Sequence, residues 1–161
     1  MSELPGRVRR AFADHDGFEA VAADEYASTA SPFDARVTVD ADDGHVSFAV
    51  EARVPTLSAV VEGGVADVVE EGWYETFELR VMDADGVIRG DHALDPVVRR
   101  TDEEVVVAIE YTDINERRGV DDAAALVTFV EGTFVQGVIP GYDYTEPVTS
   151  IISSARETGG F

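Results

Sequence analysis

The chain reads Phe33-Asp34-Ala35-Arg36-Val37-Thr38-Val39-Asp40, then Ala41-Asp42-Asp43-Gly44, then His45-Val46-Ser47-Phe48-Ala49-Val50-Glu51-Ala52-Arg53-Val54-Pro55. These are two runs of period two joined by an Asp-Gly loop. Successive side chains of a strand point to opposite faces. Ala35, Val37 and Val39 therefore share one side with Val46, Phe48, Val50, Ala52 and Val54. Arg36, Thr38, Asp40, Ser47, Glu51 and Arg53 point the other way. The pattern predicts an antiparallel hairpin with one dry and one wet face, closed by Pro55. The dry face needs a covering layer, and helices elsewhere in the chain must supply it.

Working outward, Pro96–Arg100 and Val105–Tyr111 flank Thr101-Asp102-Glu103-Glu104 as a second hairpin. Its Val105-Val106-Val107-Ala108-Ile109 is β-branched enough for a buried central strand. Phe18–Tyr26 is a weaker strand, with Phe18, Ala20 and Ala22 on one face. Residues 3–14 predict a helix that tolerates Pro5 in its first turn, buries Val8, Ala11 and Phe12, and ends at Gly17.

Residues 65–84 admit two readings. Val65, Val68, Val69, Trp73, Phe77 and Val81 follow helical spacing, whereas Phe77-Glu78-Leu79-Arg80-Val81 also alternates like a strand. A helix is expected, although Gly72 costs about 1 kcal/mol inside one. A further helix is expected from a cap at Asp121 or Asp122 to about Val138, broken by Pro140-Gly141. A last one, about 146–156, buries Val148, Ile151, Ile152 and Ala155. The whole predicts one α+β domain over residues 1–161, an antiparallel sheet of about five strands with helices packed on one face. Residues 157–161 are expected to fray.

Composition narrows the chemistry. The 161 residues carry 33 acids against 12 cations, a formal charge of −21; every cation is Arg, and Cys is absent. Disulfide scaffolds, Cys-ligated metals and thiol catalysis are excluded. So are lysine Schiff-base chemistry and a phosphate-gripping lysine. Nucleic acid is not an expected partner, because phosphate contact needs a basic footprint. The acids divide evenly between the two halves of the chain, so the surface as a whole is acidic rather than one patch of it. Such a coat repels itself in dilute buffer and is screened at molar salt, a composition that resembles cytosolic proteins of salt-accumulating archaea. With no export-type apolar segment or membrane span in the sequence, a cytoplasmic location and no membrane partner are expected.

Catalytic and metal motifs are missing. Asp40–Gly44 and Asp83–Gly86 open like calcium loops, but the sixth position counted from Asp40 is His45 and the twelfth from Asp83 is Leu94, so both read as turns. His15, His45 and His92 stand in no ligand spacing and read as surface residues. No cofactor and no metal site is expected, and an enzyme is not the favoured reading. The pairs Arg9-Arg10, Arg99-Arg100 and Arg117-Arg118 suit either an anionic ligand or ion pairs with neighbouring acids. Trp73 and Tyr74, and Tyr142 and Tyr144 in a loop bounded by Pro140-Gly141, are contact candidates, with a core role as the alternative for Trp73. Arg118 completes the set of candidate partner or ligand contacts.

The stretches Glu71-Gly72-Trp73-Tyr74-Glu75-Thr76-Phe77-Glu78 and Gly132-Thr133-Phe134-Val135-Gln136-Gly137-Val138-Ile139-Pro140-Gly141-Tyr142 resemble a family of uncharacterised proteins of halophilic archaea, a domain of unknown function. That resemblance implies origin and not chemistry. The element order is similar to the type III secretion chaperone-like fold, a sheet with flanking helices that binds protein partners and is often dimeric. The functional expectation is a non-enzymatic protein-binding or regulatory module and homodimer. The alternative is a small-molecule-binding protein or carboxylate-dependent enzyme with a pocket between the sheet and the C-terminal helices, near Tyr142, Tyr144 and Arg118.

Overall fold

The structure, a computed structural model, describes residues 4–90 and 93–157, with side chains through residue 154. Its centre is the expected hairpin: β3 (Ala35–Asp42) and β4 (His45–Pro55) pair from Ala35↔Ala52 to Asp42↔His45. Asp43 and Gly44 form the two-residue loop with φ of 52° and 82°. Both values lie in the left-handed region that a type I′ turn demands, and Gly occupies it without steric cost.

The Phe18–Tyr26 segment is not one strand. It is a hairpin, β1 (Phe18–Ala22) and β2 (Glu25–Ser28), with a bulge between Ala20 and Ala22. Its sequence alternates weakly because β1 is an edge strand with only Phe18 buried. Strands β5 (Val97–Arg100) and β6 (Glu104–Asp113) form the second hairpin, and β6 pairs along the length of β4. The result is one six-stranded antiparallel sheet in the order β1-β2-β3-β4-β6-β5, one strand more than expected.

Helices cover one face. They are α1 (Gly6–Ala13), a single turn α2 (Leu57–Val60), α3 (Asp67–Val81), α4 (Glu116–Gln136) and α5 (Val148–Glu157). Ala84–Val87 is a short 3-10 turn, and it accounts for the calcium-like Asp83–Gly86 run. The mixed α+β class holds, and of residues 65–84 the stretch Asp67–Val81 is helical while residues 65–66 precede the helix and residues 82–83 form a turn after it. Val68, expected inward on α3, instead faces solvent. The start of α4 differs by more than a turn from its expected place. Asn115 caps it, its side chain accepting from the Arg118 backbone N–H at 3.0 Å, and Gly119 lies within the helix. A glycine beside two arginines read as linker, but here it answers to packing: the helix runs against Phe48, whose ring occupies the space a β-carbon would take.

The core is the inner face of the sheet against α1, α3 and α4. Phe12 of α1 stacks on Tyr26 at 3.8 Å, and Phe48 stacks on Tyr111 at 5.1 Å. Val37, Val50, Ile109, Leu126, Val130 and Phe134 are buried among them. The opposite face carries no helix among the described residues, which suits an antiparallel sheet with one solvated side. Val148 and Ile152 of α5 are buried as expected. Ala155 lies beyond the described side chains, and the fraying expected past Glu157 lies outside the described residues, as does His92.

Candidate functional site

The candidate contact residues fall into three separate places. Trp73 belongs to the core: it is 5 % exposed, lies 5.6 Å from Phe77 in a stacked arrangement and meets Phe134 edge-on at 5.8 Å. Its buried indole N–H has no hydrogen-bond partner among the described residues and sits over Gly137, where a β-carbon would stand 3.1 Å from Nε1. Tyr74, one position on, is half-buried, and the Arg100 guanidinium lies 4.3 Å above its ring. Arg100 also bonds Glu71 at 2.9 Å, and that hydrogen bond raises its pKa. Burial raises the pKa of Tyr74, with Glu78 adding to it.

Tyr142 and Tyr144 share an open cleft of 580 Å³ with Glu62, Asp143 and Ile152. The Tyr144 hydroxyl donates to the Ile139 carbonyl at 2.7 Å and accepts from the Ile139 N–H at 2.8 Å, sealing the loop after α4. Burial raises its pKa. Thr145 N–H bonds the Val60 carbonyl, and Tyr144 bridges Val61, so this loop is tied to α2.

Arg118 is not near these tyrosines. It stands at the opposite end of α4, and eighteen residues of helix span about 27 Å. There it grips Asp113 with two bonds, Nε to Oδ2 at 2.8 Å and Nη2 to Oδ1 at 2.7 Å, and the contact raises its pKa. The Asp113 side chain is 1 % exposed. Nearby, the buried Asp122 carboxylate accepts the backbone N–H of Arg89 at 2.8 Å and of Gly90 at 3.0 Å, one on each oxygen. Tyr111 donates to the Gly119 carbonyl at 2.6 Å; burial, then the carboxylates of Asp122 and Asp113, push its pKa up. Sequence reading missed Asp113 and Asp122. Their burial depends on a helix start that the sequence placed elsewhere, and among 33 acids neither stands out. Their partners make them a clasp on the 89–90 loop and the head of α4.

Of the arginine pairs, Arg100, Arg117 and Arg118 are used for ion pairs. Arg117 bonds Asp14 at 2.7 Å, and Arg100 and Arg118 pair as described. Arg7 reaches Glu116 at 2.9 Å, and Arg53 holds both Glu51 and Glu104. Among the described residues no group of three or more acids or histidines could hold a metal ion, and no helix is long and apolar enough to cross a membrane. An open groove of 1110 Å³ lies at the sheet end, lined by Arg53, Pro55, Asp102 to Glu104 and Pro147 among others.

A fourth surface was not among the candidates. The outer face of α3 exposes Val68, Gly72, Glu75, Leu79 and Met82, spaced four, three, four and three residues apart. Val68 is 80 % and Leu79 73 % exposed. The inner face of the same helix, Trp73, Phe77 and Val81, is buried, so α3 is apolar on two sides. No described residue packs where a side chain at Gly72 would stand: a β-carbon there would meet nothing within 4 Å, and glycine in a helix costs about 1 kcal/mol relative to Ala. The sequence could have signalled this, since Val68, Leu79 and Met82 lie off the stripe of Trp73 and Phe77.

No curated protein and no solved structure gives a significant match to the chain. A family model does, over residues 13–154, which takes in every strand, α2 to α4 and both faces of α3. The chain belongs to a family of unknown function, DUF5813.

Proposed function

We propose that this chain is a non-enzymatic protein-binding module and that the outer face of α3 is its docking surface. One observation carries the reading: a helix already anchored in the core by Trp73, Phe77 and Val81 exposes a second apolar row through Val68, Leu79 and Met82. Single exposed apolar residues are ordinary. An aligned row around a glycine that the fold does not need is the mark of a contact surface. The acidic, lysine-free coat supports a halophilic cytoplasm as the setting.

Homodimerisation is part of the proposal, through a surface other than α3. A light-scattering mass at molar salt of twice 17.3 kDa is expected, and the mass of one chain would exclude it. The alternative of a ligand pocket between the sheet and the C-terminal helices meets an interface filled by Phe48, Val50, Ile109, Leu126, Val130 and Phe134. The test of the docking surface is a photo-crosslinking side chain placed at Leu79 or, as control, at Thr112 on the open face of the sheet. A discrete protein adduct from position 79, lost when Val68→Glu is added, is the expected result. Equal labelling from both positions, or none from position 79, would refute the assignment.

A further inference from the structure

We infer that the partner docked on α3 is an amphipathic helix that carries arginine or lysine beside its apolar seam. The inference rests on the docking surface proposed above and names what fills it.

Spacing gives the partner's shape. Val68, Gly72, Glu75, Leu79 and Met82 recur at four, three, four and three residues, the period by which two helices keep one seam in contact. Glycine at the second position removes the side chain that would hold a facing backbone away, and packed helix axes lie about 8–10 Å apart. No described residue uses that space.

Charge gives the partner's chemistry. Helix α3 carries five acids and one arginine, Arg80. Glu71 is held by Arg100, whereas Asp67, Glu75 and Glu78 have no ion pair among the described residues. Glu75 is the middle position of the seam. A carboxylate covered by a partner needs a compensating cation, and leaving it unpaired is strongly unfavourable. A second copy of this chain fails that requirement. Whether two α3 helices meet parallel or antiparallel in register, Glu75 faces its own counterpart. A partner with a cation at that level and others along the flanks meets the requirement and matches the acidic rim.

The test is a fluorescence-anisotropy titration of the full chain with a labelled synthetic helix of about 18 residues, five turns long. The peptide carries a Leu/Ala seam, one Arg at mid-seam and Arg on both flanks. Two controls are its sequence-scrambled isomer and a version with Glu in place of every Arg. Saturable binding of the basic helix is expected, with no binding of the acidic version and roughly tenfold weaker binding of the scrambled one. Leu79→Glu and Gly72→Leu should each lose roughly tenfold. Both sites are exposed, and Gly72→Leu raises helix propensity, so circular dichroism and the melting curve should show a folded protein in each case. Equal binding of basic and scrambled peptides would reduce the effect to the acidic coat and overturn the inference. Unchanged affinity in both variants would overturn it too, as would a doubled mass without peptide that Leu79→Glu abolishes. A crosslink from position 79 without binding of the basic helix would leave the docking surface standing and remove only this partner.

Discussion

The backbone of Gly119 lies against the ring of Phe48 so closely that a β-carbon at Gly119 would overlap the ring edge. Phe48 is fully buried at the centre of β4, stacked on Tyr111, so it cannot give way. In the same molecule, Gly72 on α3 borders open space. One substitution therefore has opposite signs at two helical positions. Gly119→Ala should destabilise by about 1–3 kcal/mol through overpacking, despite its better helix propensity. Gly72→Ala should stabilise by about 1 kcal/mol. Urea denaturation of the two variants decides the matter; equal signs would contradict the packing described for α4.

The clasp at the head of α4 predicts a second pair of losses. Asp122→Asn replaces one carboxylate oxygen with an amide N–H, which cannot accept from the backbone of Arg89 or Gly90. A destabilisation of about 1–3 kcal/mol is expected, with faster hydrogen exchange at residues 89 and 90. Arg118→Ala takes both guanidinium bonds from the buried Asp113 and should lower the denaturation midpoint. An unchanged midpoint in the Arg118 variant would mean that this pair is a surface contact of little worth.

This clasp also shows where the sequence stopped being legible. The hairpin Ala35–Pro55 could be read because alternation and an Asp-Gly turn are local signals, and α3 because Val69, Trp73, Phe77 and Val81 keep its period. The start of α4 was not, since Gly119 reads as a linker residue, and what calls for glycine there is the ring of Phe48, a residue 71 positions away. The candidate sites suffered similarly. Trp73 was legible as a residue of interest, whereas Val68 was counted on its inward stripe although it lies, like Leu79, on the opposite side of the helix and faces solvent. Arg118 and the Tyr142–Tyr144 loop are set apart by the length of one helix, which the sequence had begun too late.

Tyr111 makes stability depend on alkaline pH. Its pKa is raised from the ordinary 10.0, chiefly by burial. A raised pKa contributes stability that is fully present below the unfolded value and is lost as pH rises toward the folded one. Stability should hold up to about pH 9.5 and then fall, with a limiting slope of about 1.4 kcal/mol per pH unit from this residue. Tyr111→Phe should cost about 1 kcal/mol near neutrality, through the lost bond to Gly119, and flatten the alkaline loss. Denaturation series at neutral and alkaline pH check both parts.

The acidic coat predicts salt-dependent stability. Twelve arginines meet 33 acids, so most carboxylates have no arginine to compensate them. At molar salt the Debye length shrinks to about 3 Å and that repulsion is largely screened. The melting temperature should rise markedly from dilute buffer to molar KCl, and a curve indifferent to salt would remove the halophilic reading of the composition.

The central claim is that the outer face of α3 is where this protein meets its partner. The most direct measurement is a backbone amide NMR titration of the isotope-labelled chain with the basic amphipathic helix. The account predicts shift changes concentrated on Val68, Gly72, Glu75, Leu79 and Met82, with the open face of the sheet around Ala49, Ala108 and Thr112 unmoved. Shifts centred on that sheet face, or spread evenly over the acidic surface, would contradict it.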